Sequence, residues 1–266
     1  MKFQIDHDLH IHSFLSPCSR NPEQTPENIL HFAKEKGLHT ICLTDHFWDQ
    51  AVPDCPPDYT SLGFSCIETV LPLPQEEETR FLFGCEAEMN WNMEPGIARE
   101  NYDRFGFSVI ATTHFHLDGC LKRAQKETAE TRATAWVDRF DKVLSMDLPF
   151  HKIGIAHLTA TLMAPTREEY RQILDLLPET AIGALLQRAA TCGVGIELNA
   201  DDMKKAFEEG ERAWKFYRIA KECGCRFYLG SDAHSPRGLE QSTEIFRRAV
   251  DYLELEEDHK LPLVRR

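Results

Sequence analysis

The chain alternates between two kinds of apolar pattern, and that alternation most constrains its fold. Short β-branched or apolar runs occupy residues 3–11, 40–44, 80–85, 107–113, 152–156, 194–198 and 227–230. Most are followed by a stretch whose apolar residues recur three and four positions apart. The first pattern predicts strands and the second predicts helices. Seven strands mostly separated by helices predict an α/β fold with a parallel sheet, open or closed into a barrel. With 266 residues, the chain has the length of one (β/α) barrel of about 250 residues or of two smaller domains.

The helix signals are local. Thr25 is an N-cap residue, Pro26 suits the first helical position, and Gly37 suits a stop. Ile29, Leu30, Phe32 and Ala33 supply the apolar face between them. Further helices are expected over 122–147, over 167–177 and 179–192 with Pro178 as the break, and over 208–223 and 239–255. Residues 47–79 carry Pro53, Pro56, Pro57, Pro72 and Pro74 with two acidic clusters. They read as a long loop inserted into one domain spanning 1–266, with one short helix near 67–71.

Composition narrows the class. With 42% hydrophobic and 27% charged residues, the chain has enough apolar material for a core, which excludes a disordered chain. No apolar run approaches the roughly 18 residues of a membrane span. The opening residues have no apolar core of a secretory signal. Lysine and arginine number 30 against 43 acidic residues, a formal charge of −13, and no basic stripe is present. Long nucleic acid is therefore not the expected partner. An anionic substrate needs local positive charge from a few arginines or from bound metal. Nine cysteines without a Cys-x-x-Cys pair predict no disulfide framework and a reducing, cytoplasmic setting.

The twelve histidines carry the chemical signal, because many fall where strands end. The strand ends read Asp8-Leu9-His10-Ile11-His12, Thr44-Asp45-His46, Gly84-Cys85-Glu86-Ala87-Glu88 and Thr113-His114-Phe115-His116. The last three read Ala156-His157, Glu197-Leu198-Asn199 and Ser231-Asp232-Ala233-His234. Parallel barrels place their active sites at the C-terminal ends of the strands. Positions i and i+2 share a face of a strand, so His10 and His12 can converge on one ion. Imidazoles with carboxylates suit zinc, manganese or iron, and more ligands are present than one tetrahedral ion uses. A multinuclear site follows.

These motifs, in this order, resemble the PHP (polymerase and histidinol phosphatase) superfamily. The resemblance rests on Asp-Leu-His-x-His at 8–12, Thr-Asp-His at 44–46, Gly-x-Glu at 84–86, His114, His157 and Ser-Asp-Ala-His at 231–234. It implies a distorted (β/α)7 TIM-like barrel with two or three divalent metal ions at its C-terminal mouth. Carried onto this chain, one ion takes His10, His12, Glu86 and Asp232. A second takes His46 and His234, and a third shares Glu86 with His114 and His157. The family's further His or Asp after the first motif is replaced here by Pro17 and Cys18. Cys18, as a thiolate, is the first candidate substitute ligand, with Ser16 and Ser19 the poorer ones.

The chemistry this implies is attack of metal-bound hydroxide on the phosphorus of a small phosphomonoester, histidinol phosphate or a similar metabolite. Asp232 or His234 manages the proton of the nucleophile, and His116 protonates the leaving group. Arg20 and Arg237 are candidate phosphate-binding residues. Asp8 and Asp45 are read as orienting ligand histidines. Glu197 is read either as a partner of a ligand or as a buried hydrogen-bonded acid. His7, His31, His39, His151 and His259 carry no assigned role. Two alternatives stand beside the phosphatase: a phosphodiesterase or exonuclease on short nucleotides, and a non-catalytic metal-binding scaffold. An amidohydrolase shares the His-x-His opening, but Gly-x-Glu and Asp-Ala-His argue against it.

Overall fold

In the computed structural model, which describes residues 1–19 and 21–265, the chain begins with β1 (His7–Ile11), α1 (Pro26–Lys36), β2 (Thr40–Leu43), β3 (His46–Phe47) and α2 (Phe64–Ile67). It continues with β4 (Arg80–Glu88), β5 (Phe107–Ala111), α3 (Ala129–Leu144), β6 (Ile153–Ile155), α4 (Arg167–Leu176) and α5 (Glu179–Cys192). It ends with β7 (Gly195–Asn199), α6 (Ala200–Glu209), α7 (Glu211–Glu222), β8 (Arg226–Gly230) and α8 (Pro236–Tyr252). Helix α1 follows its signals: the Thr25 side chain accepts from the Asn28 N–H, and Gly37 ends the helix at φ 68°. That left-handed conformation is one that glycine adopts without a Cβ penalty.

All pairings between strands are parallel, in the order β1-β2-β4-β5-β6-β7-β8, with β3 on the upper half of β4. The seven expected strands are thus seven positions, the second of them broken. The break lies at Thr44-Asp45. Thr44 pairs with Ile11 through its N–H and its Oγ1 (2.8 and 3.0 Å), and the Asp45 carboxylate turns to Ser13 and Ser16.

The sheet curls until β8 returns to β1, and the seam there is irregular. Two backbone bonds close its top, Asp232 N–H to His10 O at 2.7 Å and His12 N–H to Ala233 O at 3.1 Å. Lower down, side chains stand in for a ladder. His7 Nε2 accepts from the Leu229 N–H (3.0 Å), and Asp8 Oδ1 accepts from the Ser231 N–H (2.9 Å). The result is a distorted barrel with its helices outside.

Strand β1 departs from simple alternation. Its register with β2 slips between Asp8 and Ile11, which leaves one extra residue in β1. Leu9 then packs with Cys42, Phe107, Val109 and Tyr228 from strands around the barrel, so it faces the interior. Ile11 packs with Ile29, Leu30 and Ala33 of α1 on the outside. A bulge re-aims side chains in this way beside functional sites. It lets Leu9 plug the barrel while His10 and His12 point into its mouth.

Several boundaries differ from the sequence expectation. Residues before His7 pair with the C-terminal segment instead of extending β1, with the Phe3 N–H on Leu255 O. Helix α6 was not expected. The Asn199 side chain caps it by accepting from the N–H groups of Asp201 and Asp202, and Gly210 separates it from α7. Asparagine is a preferred N-cap, so the signal was present. Helix α8 starts three residues early because Ser235 caps it and Pro236 takes its first position. Within 122–147 only α3 is α-helical, capped by Thr128. The short helix of the long loop lies at α2, continued by a 3-10 turn at Glu68–Val70.

Candidate metal centre

The site is built around Glu86. Strand β4 runs on to Glu88, so Glu86 and Glu88, two residues apart, share one face. Glu86 is 1% exposed. Its Oε1 lies 2.9 Å from His157 Nε2 and 4.0 Å from His114 Nε2. Its Oε2 lies 2.9 Å from His46 Nδ1, 3.4 Å from His12 Nε2 and 3.5 Å from His10 Nε2. Despite these neighbours, Oε2 makes no hydrogen bond of good geometry. An orphaned buried carboxylate oxygen costs at least about 1–3 kcal/mol unless something satisfies it. A cation among the nitrogens would.

The imidazoles are oriented for that cation. His10 Nδ1 donates to Glu197 Oε1 (2.7 Å), and His12 Nδ1 donates to Ser16 Oγ (2.8 Å), which in turn donates to Asp45 Oδ1 (2.7 Å). His114 Nδ1 donates to Glu88 Oε1 (2.6 Å), His157 Nδ1 to Thr113 Oγ1 (2.8 Å) and His234 Nδ1 to the Asp232 carbonyl (2.7 Å). A bond that ties down Nδ1 leaves the Nε2 lone pair free to bind metal. His10 Nε2 and His12 Nε2 face each other at 3.1 Å. His46 differs, with Nδ1 near Glu86 and the Tyr59 hydroxyl (3.1 Å) and Nε2 near Cys18 Sγ (3.2 Å).

The electrostatics call for positive charge. Burial disfavours a proton on His10, but Glu197, Asp232 and Glu86 outweigh it and hold its pKa well above the usual imidazole range. Burial likewise opposes the charge on His157, yet Glu86 raises its pKa to about 9. Burial would raise Glu86 and Asp232, but His46 and His10 for the first, and His10 and His12 for the second, push both well below the carboxylate range. Without metal, this cluster keeps its carboxylates ionised and collects protons on imidazoles. Metal binding replaces those protons.

Among the described residues, four sets of donor atoms converge to within 4.8 Å: His12, His46 and His234; His10, His12 and Glu86; Glu86, His114 and His157; and His46, Glu86 and Glu88. Asp232 Oδ1 lies 3.0 Å from His12 Nε2 and 3.6 Å from His10 Nε2. These residues fit divalent ions.

The backbone is bent to serve the cluster. Two of the five described non-glycine residues with positive φ are His157 (28°) and Asp232 (53°). Such conformations cost of order 1–3 kcal/mol and persist where surrounding structure holds them. The His157 N–H donates to Glu197 Oε2 at 2.6 Å, and the Asp232 N–H is held by His10 O. Glu197, fully buried, therefore braces β1 and the end of β6 together. It reaches the centre past Gly230, where a Cβ would lie 1.8 Å from Glu197 Oε1.

Of the residues singled out in the sequence, His10, His12, His46, Glu86, His114, His157, Asp232 and His234 come together. Cys18 reaches His46 but belongs to none of the four converging sets. His116 lines the adjoining cavity, edge-on to His114 with ring centroids 5.4 Å apart, and also joins no set. Arg237 is exposed on the first turn of α8 and is not among the residues lining the cavity. Arg20 lies outside the described residues. Asp8 and Asp45 act indirectly: Asp8 accepts from the backbone N–H of His10 (3.2 Å), and Asp45 reaches His12 through Ser16. Glu88, Tyr59 and Thr113 were missed as members of the site, and Ser16, weighed as a poorer ligand, instead joins His12 to Asp45. Only Glu88 had a signal, its i+2 spacing from Glu86.

The cavity above the cluster has a volume of about 490 Å³ and is bounded by Pro17, Tyr59, Leu62, Leu117 and Leu162. No described helix is long and apolar enough to cross a membrane.

A family model described as PHP domain matches residues 8–201. Among solved structures, the histidinol phosphate phosphatase (HISK) from Lactococcus lactis subsp. lactis Il1403, complexed with zinc, L-histidinol and phosphate, is similar at a TM-score of 0.55. Sequence identity is 17%, over 92% of this chain and 93% of that one, so the likeness is one of fold. No curated protein matches the chain.

Proposed function

The chain belongs to the PHP-domain family, and from that premise we propose that it is a metal-dependent phosphatase acting on a small phosphomonoester, histidinol phosphate or a similar metabolite. The observation that carries this reading is the buried Glu86 Oε2, ringed by three imidazole nitrogens and without a hydrogen bond. Two or three ions, zinc, manganese or iron, are the proposed occupants. His10, His12, Glu86 and Asp232 would hold the first, and His46 and His234, with Cys18, the second. Glu86, His114 and His157 would hold the third. Bound there, such ions supply Lewis acidity towards phosphate and bring the pKa of water to about 7.

The protein's own groups do the rest. Glu197 and Glu88 keep His10 and His114 in one tautomer. A carboxylate oxygen of Asp232 left off the ion takes the proton of the nucleophile, or His234 Nε2 does so where it is not itself on the second ion; His234 Nδ1 is already committed to the Asp232 carbonyl. His116, the cavity imidazole outside the converging sets, is the proposed contact of the leaving oxygen; burial and the neighbouring His114 lower its pKa to about 4, so it would meet that oxygen as a neutral donor and not as the proton source expected of it. Arg20 and Arg237 remain proposed phosphate contacts, Arg237 from the first turn of α8. The family match stops at residue 201, but Asp232 and His234 complete the same mouth. That supports one functional barrel over 1–266. A cytoplasmic setting is proposed from the nine free cysteines.

Turnover of p-nitrophenyl phosphate against bis(p-nitrophenyl) phosphate, with added manganese or zinc, tests the reading. The monoester is expected to turn over faster, chelation to abolish activity and metal to restore it. A faster diester moves the assignment to a phosphodiesterase. No turnover of either by metal-loaded protein leaves a binding scaffold.

A further inference from the structure

The cavity walls restrict what the leaving group can be. The floor is polar, formed by Glu86, Asp232, His46, His114 and His234, and the walls above it are largely apolar. No lysine or arginine is among the described residues lining it. Two described cations nearby are otherwise engaged. Lys126 Nζ donates to the Leu117 carbonyl (2.7 Å), and the Arg139 guanidinium is buried and bonded to carbonyls of Met89, Asn90, Thr112 and Cys120. Apart from the floor carboxylates, the charged side chain on the lining is Asp58, exposed on the turn that carries Tyr59.

A phosphomonoester carries nearly two negative charges at pH 7, and the floor is where they can be met. With Arg20 and Arg237 assigned above to the reacting phosphate, a second anionic group on the alcohol would face leucines and Asp58. It would lose hydration without gaining a partner, and it would be repelled. An alkyl or aromatic body buries apolar surface against Leu62, Leu117 and Leu162 instead. A cationic amine at its far end meets Asp58.

We propose that this site selects monoesters of apolar alcohols without a second anionic group, and that Asp58 favours those ending in an amine. This rests on the phosphatase reading above and names its substrate class. It disfavours bisphosphates, phosphorylated carboxylic acids and oligonucleotides, each of which brings a further anion to the walls.

The test uses butyl phosphate and its chain-end amino and carboxyl analogues on metal-loaded protein. The expected order of kcat/KM is amine, then alkyl, then carboxylate. The amine and carboxylate should differ by roughly tenfold, as one exposed attraction and one repulsion combine. Lengthening the chain from methyl should improve kcat/KM about three- to fourfold per methylene until the cavity fills. Asp58→Asn should remove the advantage of the amine over the alkyl ester, and Asp58→Lys should invert amine and carboxylate. Calorimetry with the matching phosphonates reads the same order as Kd without turnover. An intact binding order with no hydrolysis of any ester sinks the phosphatase reading alone. A carboxylate bound as well as the alkyl compound, or an order indifferent to Asp58→Lys, overturns the present inference.

Discussion

The two ends of the barrel are made by the same strands and obey opposite rules. At the N-terminal end, Leu9, Cys42, Phe107, Val109 and Tyr228 fill the interior over Leu261 and Val264 from the C-terminal segment. Phe107 and Tyr228 meet edge to face at 5.1 Å. Tyr228 lies over Gly154, where a Cβ would come 2.4 Å from its ring and hydroxyl. At the C-terminal end, the interior holds Glu86, Asp232 and six imidazoles, with a buried carboxylate oxygen left without a hydrogen bond. Strand β8 contributes Tyr228 to the first and leads to Asp232 in the second; β5 contributes Phe107 and leads to His114. One end is close-packed and satisfied by the protein alone. The other is complete only with cations. Stability and chemistry are thus separated along the barrel axis.

The largest expected effect falls on the mouth. Glu86→Gln should cost at least one metal ion and roughly a thousandfold or more in activity, since a neutral amide bridges poorly and metal contributions are worth several kcal/mol. The fold should remain intact, because the plugged end is untouched. Full metal occupancy by elemental analysis in this variant sinks the central role of Glu86.

Tyr228→Ala attacks the other end. Emptying that volume should lower stability by about 3–5 kcal/mol, read as a fall in the urea midpoint. Metal bound per folded molecule should stay at the wild-type value. A loss of metal matching the loss of stability breaks the separation of the two ends.

Glu197→Gln probes the brace beneath the mouth. Glu197 accepts from His10 Nδ1 at one oxygen and from the His157 N–H at the other, so an amide NH2 must oppose one of these donors. Metal affinity should weaken about 10–100-fold, measurable by titration with manganese. Unchanged affinity reduces Glu197 to a packing role.

The smallest effect concerns the seam. Burial lowers the pKa of His7, and the ring must stay neutral to accept from the Leu229 N–H. Its contribution to stability is complete above the unfolded imidazole value of about 6.5 and is lost as pH falls through the lower folded value. The urea midpoint should therefore drop from pH 7 to 5, and His7→Gln should flatten that dependence. Equal slopes in both proteins remove His7 from the seam.

Much of the site was legible because barrel chemistry is written at strand ends. His10, His46, Glu86, His114, His157, Asp232 and His234 each follow or end an apolar run, and a parallel barrel gathers such positions whatever their separation in sequence. Glu88 was readable by the alternation that paired His10 with His12. Helix α6 was readable from Asn199 as a cap, but its proximity to a strand end drew attention to the site instead. Tyr59 was not readable, since nothing in a proline-rich loop says which residue turns back to Glu88 and His46.

The alternation of strands and helices, the caps of α1, and the residue types from which a metal centre can be made were already present in the order of the amino acids. Those follow from local periodicity and from the chemistry of single side chains. The closed fold set the bulge that sends Leu9 inward and Ile11 outward, the break between β2 and β3, and which nitrogen of each imidazole faces Glu86. It also decided that the cavity walls are apolar and that Asp58 stands among them. These depend on partners far apart in the chain, such as Glu197 for His10 and Ser231 for Asp8. Closure of a barrel fixes such distances, and no window of neighbouring residues contains them.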